Sequence, residues 1–143
     1  MTVKAILAAK GGDLISIEPT ATVDAAVKTL AKHRIGALLV LGPDHRVIGI
    51  LSERDIVRVL AEQGADVLRQ PLSQVMTRKV VTVGPSETVG AIMERMTNGK
   101  FRHVPVVDEE QLIGIISIGD VVKHRLHEVE QESAALRNYI QTS

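Results

Sequence analysis

Gly49-Ile50-Leu51-Ser52-Glu53-Arg54-Asp55 and Gly114-Ile115-Ile116-Ser117-Ile118-Gly119-Asp120 share one pattern, glycine, two apolar residues, serine, and aspartate three places after the serine, 65 residues apart. Reading outward extends the match. Val57 recurs as Val122, and upstream Pro19, Thr22, Val23, Ala25 and Val40 recur as Pro85, Thr88, Val89, Ala91 and Val106, now at an offset of 66. One residue is therefore lost between Gly42-Pro43-Asp44-His45-Arg46 and Asp108-Glu109-Glu110-Gln111, both turn-forming stretches, where a length change disturbs little buried backbone. The chain is an internal repeat, and the repeat decides its organisation.

Each copy reads alike. A short strand, Leu14–Ile17 or Val80–Val83, meets a proline, and Thr22 or Thr88 then stands where a helix N-cap belongs. Val23, Ala26, Val27 and Leu30 follow at helical spacing in the first copy, and Val89, Ile92, Met93 and Met96 in the second. Two β-branched apolar runs split by the turn predict a hairpin, at 37–41 with 47–51 and at 104–107 with 112–116. A second helix opens at Ser52 or Ser117, carrying Ile56, Val57 and Leu60 or Val121, Val122 and Leu126. The unit is β-α-β-β-α, an α/β chain of the α+β type. Such a unit leaves a sheet face bare, so two copies are expected to pack about a pseudo-twofold axis.

Composition bounds the chemistry. Seventeen basic and seventeen acidic side chains cancel, so no net field draws the chain to nucleic acid or to an anionic bilayer. No cysteine is present, which excludes disulfides, thiolate zinc sites and thiol catalysis. No apolar run approaches membrane length, and a cytoplasmic location is expected. One Phe, one Tyr and no Trp leave the core to aliphatic residues, which suit strands packed under helices. Neither a GxGxxG nor a Walker loop occurs, and no nucleophile stands at motif spacing from a base. Lys10-Gly11-Gly12-Asp13 reads as a turn. His124 and His127, three apart on a predicted helix, have the spacing of a metal pair but lie among Glu and Arg, and solvent exposure is expected instead of a metal site.

The paired motif admits two readings. A serine at a strand-to-helix junction with a carboxylate three residues on is a capping box. The same serine and helix N-terminus also suit a phosphate, with Asp55 or Asp120 accepting from two ribose hydroxyls. One role does not exclude the other.

The repeat, its length and the Gly-apolar-apolar-Ser-x-x-Asp signature resemble the cystathionine β-synthase (CBS) domain over about Leu14–Leu126, and His103-Val104-Pro105-Val106-Val107-Asp108 matches a second hallmark of that family. The resemblance implies a tandem pair, the stand-alone signal-transduction type known as a Bateman module, with domains at 8–66 and 75–130. It implies a regulatory protein, not an enzyme, that binds adenine nucleotides in clefts between the repeats and signals energy or redox state to an unidentified partner. It also implies a division of labour among residues. Ser52, Arg54 and Asp55 would serve the first site, with Leu14, Ile15, Ala37 and Leu38 as its adenine slot. Ser117, Asp120, Lys100, Arg102 and His103 would serve the second, with Val80, Val81, Val104 and Pro105 as the slot. The family's phosphate-binding basic positions are Arg102 and His103 here but Gly36 and Ala37 in the first copy. Two unequal sites are the expectation.

AMP, ADP, ATP and NAD(H) all fit such sites. S-adenosylmethionine, whose sulfonium would face Arg102, is the alternative ligand, and a ligand-independent scaffold the alternative function. An enzyme seen only in its regulatory half is disfavoured by how soon the chain ends after the second repeat. Finally, Val122, Leu126, Val129, Ser133, Leu136 and Ile140 recur at steps of three and four on a C-terminal helix extension at 122–141. This stripe predicts a homodimer seam. The competing expectation is that it folds back on its own module, partly covered by Val3, Ile6 and Leu7.

Overall fold

The structure is a computed structural model that describes residues 1–11 and 14–142. Gly12 and Asp13, half of the turn read at 10–13, lie outside the described residues. The chain divides into two compact units: Asp13–Val81, built on the first repeat, and Met1–Gly12 with Thr82–Ser143, built on the second.

In the first-repeat unit, β1 (Ser16–Ile17) runs parallel to β2 (Ala37–Leu41), which pairs antiparallel with β3 (Val47–Ser52). Between them lies α2 (Val23–His33), and α3 (Glu53–Gln63) follows β3. Thr22 caps α2 as expected, its hydroxyl accepting from the Ala25 N–H at 3.1 Å. Val23, Ala26 and Leu30 of α2 meet Leu38 and Val40 of β2 and Leu51 of β3, with Ile56 and Val59 of α3 completing the layer. Short 3₁₀ turns at Ala65–Arg69 and Leu72–Gln74, with the residues just after them, add Val67, Leu72, Val75 and Met76 to this core. Burial of each such side chain is worth about 1.5–3 kcal/mol, so this connector is structural and not a free linker.

The second-repeat unit repeats the plan with α4 (Val89–Gly99), β4 (His103–Asp108), β5 (Gln111–Ser117) and α5 (Ile118–Thr142). Thr88 caps α4 through the Ala91 N–H at 3.2 Å. The two-residue turn of this hairpin places both Glu109 and Glu110 at positive φ, as tight right-twisted hairpins require, while the longer loop at residues 42–46 of the first hairpin holds Asp44 and His45 at positive φ. The one-residue length difference is absorbed at this turn. The preceding helix α1 (Val3–Lys10) belongs to this unit, where Val3 and Ile6 are fully buried with Ile92, Val104, Val106 and Ile116.

Three expectations need correction. The strand expected over Leu14–Ile17 shrinks to Ser16–Ile17, and that over Val80–Val83 to a single bridge between Val83 and Val106. Each lies on an edge with one neighbour, and pairing holds only where a side chain, Ile17 or Val83, is anchored in a core. Val3, Ile6 and Leu7 pack on the second core instead of covering the C-terminal stripe. That stripe is exposed along its length, Val122 included. The helix is long because Gly64, which ends α3, is matched by Val129, and neither Gly nor Pro follows.

Candidate functional site

The strand-to-helix junction in the first-repeat unit is closed on itself. Ser52 Oγ accepts from the Asp55 N–H at 3.2 Å while Asp55 Oδ2 accepts from the Ser52 N–H at 3.0 Å and the Ser52 hydroxyl at 3.1 Å. The helix's first N–H, that of Glu53, donates to the Gly36 carbonyl at 2.9 Å. Ala37 lies directly across the hairpin from Ser52, and Leu38 across from Leu51. The far oxygen of Asp55 accepts from Arg58, one turn along α3, at 3.3 Å, and the Thr77 hydroxyl stands 3.5 Å from both carboxylate oxygens.

The second-repeat unit reproduces this geometry. Asp120 Oδ2 accepts from the Ser117 N–H at 2.9 Å, the Asp120 N–H donates to Ser117 Oγ at 3.2 Å, and the Ile118 N–H donates to the Arg102 carbonyl at 2.7 Å. His103 faces Ser117 across the hairpin, Val104 faces Ile116 and Pro105 faces Ile115. The expected asymmetry thus falls on matched backbone positions: Gly36 and Ala37 in one unit, Arg102 and His103 in the other, each pair against the first turn of the helix. Both motifs cap their helices. A box of this kind is worth about 1 kcal/mol and leaves the rest of the helix N-terminus polarised.

A further group reaches Asp120. Lys10, the last residue of α1, donates to Asp120 Oδ2 at 2.8 Å and to the Ile115 carbonyl at 3.0 Å. Burial alone would push the Asp120 carboxyl up, but the Lys10 hydrogen bond, the Ser117 N–H and the Lys10 charge together bring it below its ordinary value. Lys10 and Asp120 line a groove of about 960 Å³ with Lys123, His124 and His127 of α5. The groove of about 520 Å³ in the first-repeat unit runs between α2 and α3, past Gly36, and does not include Asp55.

Among the remaining sequence-derived site residues, Ala37, Leu38, Val104 and Pro105 are buried in strands beside the motifs. Leu14 is exposed and Ile15 packs on the first core, both just ahead of β1. Val80 is half-buried and Val81 exposed, at the end of the first-repeat unit. Arg54 points to solvent, as do Arg102 and Lys100, the last of these ending α4 in the left-handed conformation. Sequence reasoning passed over Arg58, Thr77 and Lys10. The first was legible from its spacing on α3. The others come from the stretches ahead of each repeat's first strand, where the 66-residue offset no longer aligns the two copies.

A family model described as "CBS domain" matches residues 3–62 and 72–127. A mitochondrial CBS domain-containing protein of Arabidopsis thaliana is 39% identical over 124 residues, which are 84% of this chain and 60% of that protein. The chain thus spans less than two thirds of that relative. Among solved structures, a CBS-domain containing protein from Agrobacterium tumefaciens superposes with a TM-score of 0.85 at 46% identity, covering 87% of this chain and 99% of that one. A CBS domain protein from Pyrobaculum aerophilum, complexed with AMP, gives 0.75 at 29% identity, covering 84% and 89%. The CBS domain pair of protein MJ0100, in complex with 5′-methylthioadenosine and S-adenosyl-L-methionine, gives 0.79 at 26% identity, covering 90% and 98%.

Proposed function

The chain belongs to the CBS-domain family, and we propose that it is a non-catalytic sensor that binds AMP, ATP or NAD(H) and signals to a partner protein in the cytoplasm. The observation that carries this reading is the twofold recurrence of one junction: a serine and an aspartate at a helix N-terminus, joined by the same pair of capping hydrogen bonds in both units. Two relatives of the same fold hold adenosine-containing ligands. Asp55 and Asp120 would take ribose hydroxyls, Ser52 and Ser117 with the helix N-termini would take phosphate, and Ala37, Leu38, Val104 and Pro105 would flank the base. Arg102, His103 and Lys100 make the second site the richer in phosphate contacts. Leu14, Ile15, Arg54, Val80 and Val81 complete the proposed sets. Asp55→Ala and Asp120→Ala should each weaken nucleotide binding at their own site by about 1.5–3 kcal/mol, the range for hydrogen bonds to charged groups. Calorimetry with AMP, ATP and NADH reads this directly. Thermal melting gives the prior test, since ligand at 100 times Kd stabilises the native state by about 2.7 kcal/mol. No shift with any adenosine ligand would leave capping as the motif's whole role and favour the scaffold reading.

Assembly belongs to the same proposal. Leu126, Val129 and Leu136 expose 58%, 46% and 61% of their surface along α5, and we assign this stripe to a homodimer seam. Replacing Leu126 and Leu136 with Glu should shift the protein toward monomer in sedimentation. A wild-type mass of 15.5 kDa at micromolar concentration would refute the seam.

A further inference from the structure

The proposed second site contains a cation that its repeat does not supply. Lys10 reaches Asp120 from α1, and α1 is fixed: Val3 and Ile6 are buried in the second core, and Leu7 lies where a side chain on Gly114 would have to go. The ammonium is held at two points, the Asp120 carboxylate and the Ile115 carbonyl. The pair is not closed off. Its side chains are 37% and 24% exposed and open on the groove shared with Lys123. Among the described residues, nothing comparable occurs in the first-repeat unit, where the groups on Asp55 are a neutral hydroxyl, Thr77, and Arg58 of its own helix.

We propose that Lys10 is the specificity-determining residue of the second site, selecting adenosine ligands that carry phosphate over those that are neutral or cationic. The inference rests on Asp120 holding a ribose. An aspartate alone attracts a cation as readily as it accepts from a hydroxyl, so a bare Asp120 would favour a sulfonium. With Lys10 seated on Asp120 the local charge is balanced. As ribose hydroxyls come to the carboxylate, the ammonium stays tethered to the Ile115 carbonyl, close to whatever the ribose carries at its 5′ position. A phosphate there is attracted and a sulfonium repelled. For unit charges about 7 Å apart in a partly hydrated groove, the effect is roughly threefold to tenfold in affinity in each direction.

The test is calorimetric titration of adenosine, AMP and S-adenosylmethionine into an Asp55→Ala background, which isolates the second site, with Lys10 wild-type, Lys10→Met or Lys10→Arg. Expected in Lys10→Met is a threefold to tenfold fall in AMP affinity relative to adenosine, with S-adenosylmethionine rising relative to adenosine by a similar factor. Lys10→Arg should keep the wild-type ranking. Equal loss for all three ligands would make Lys10 merely structural, and an unchanged AMP-to-adenosine ratio would overturn its selective role while leaving the nucleotide reading intact. If the Asp55→Ala protein with Lys10 in place binds none of the three, the ribose role of Asp120 fails first, and this inference fails with it.

Discussion

The two units carry the same motif but close the sheet over it with different parts of the chain. In the first-repeat unit, residues 71–77 lie along β3: Pro71 bridges Thr22, Met76 packs over Gly49, and Thr77 pairs with Ile50 and reaches Asp55. In the second-repeat unit, residues 2–10 do the same work: Thr2 bridges Thr88, Leu7 packs over Gly114, and Lys10 reaches Asp120. The segment ahead of each repeat thus completes the other repeat. One cover is an irregular stretch with 3₁₀ turns and the other a helix, yet both bring an apolar side chain to the motif glycine and a polar one to the motif aspartate. The comparison teaches that the repeat visible in the sequence is not the folding unit. It also gives the signature glycine a reason, because a Cβ at either position would strike the covering residue.

If both covers are core, truncating them should cost alike, and this is the largest effect expected. Ile6 in α1 and Leu72 in the connector are each fully buried. Ile6→Ala and Leu72→Ala should each destabilise by about 2–5 kcal/mol, the transfer term plus the cavity left behind. Urea unfolding of each variant measures it. A cost below about 1 kcal/mol for Ile6→Ala would show α1 to be a loosely held tail.

A smaller effect sharpens the comparison between covers. Adding a methyl at either glycine overpacks its site, at about 1–3 kcal/mol. Gly49→Ala meets the sulfur and carbons of Met76, an unbranched chain that can swing aside, whereas Gly114→Ala meets the branched end of Leu7 on a helix already fixed by Val3 and Ile6. The second substitution should cost more. Combining it with Leu7→Ala should restore part of the loss, since the two side chains compete for one space. Additive costs in the double variant would mean that Leu7 and Gly114 do not share a contact.

These segments are where the sequence stops being legible. The hairpins, both threonine caps and the serine-opened helices follow from local rules, because each depends on residues within a few places of one another. Gly64 against Val129 likewise explains the unequal lengths of α3 and α5 from sequence alone. The edge strands are shorter than the apolar stretches at 14–17 and 80–83 suggest, because an edge strand has only one neighbour to pair with. Residues 2–10 and 71–77 share a spacing, Val3, Ile6 and Leu7 recurring as Leu72, Val75 and Met76, but at an offset of 69 that the 66-residue alignment of the repeats does not bring into register. Of the candidate site, the capping geometry of both junctions and the different residues at the matched positions, Gly36 and Ala37 against Arg102 and His103, are legible. Thr77 and Lys10 are not, because each is delivered to its aspartate by a long-range packing contact.

The smallest effect expected separates the two aspartates by pH. Lys10 and the Ser117 N–H hold the Asp120 carboxyl below its ordinary value against the opposing effect of burial. A carboxylate with a depressed folded-state pKa adds stability that is fully present above its unfolded value, near about 4, and is lost as pH falls through the folded value. Removing the ammonium in Lys10→Met should therefore cost stability at pH 7, and the difference from wild type should begin to shrink as pH falls through the unfolded value of about 4 and be lost as it falls through the lower folded value. Its size is limited because both side chains see solvent: exposed pairs measure about 0.2–1 kcal/mol. The matching variant in the other unit, Arg58→Met, removes a longer pair at 3.3 Å on a 56% exposed side chain, and should cost less. Urea unfolding at pH 7, 5 and 3, repeated in 1 M salt to screen the charges, compares them. A Lys10→Met deficit that persists undiminished at pH 3 would mean that the lysine acts through the packing of its methylene stem. In that case its Ile115 and α1 contacts, not the Asp120 carboxylate, would be what holds it in place.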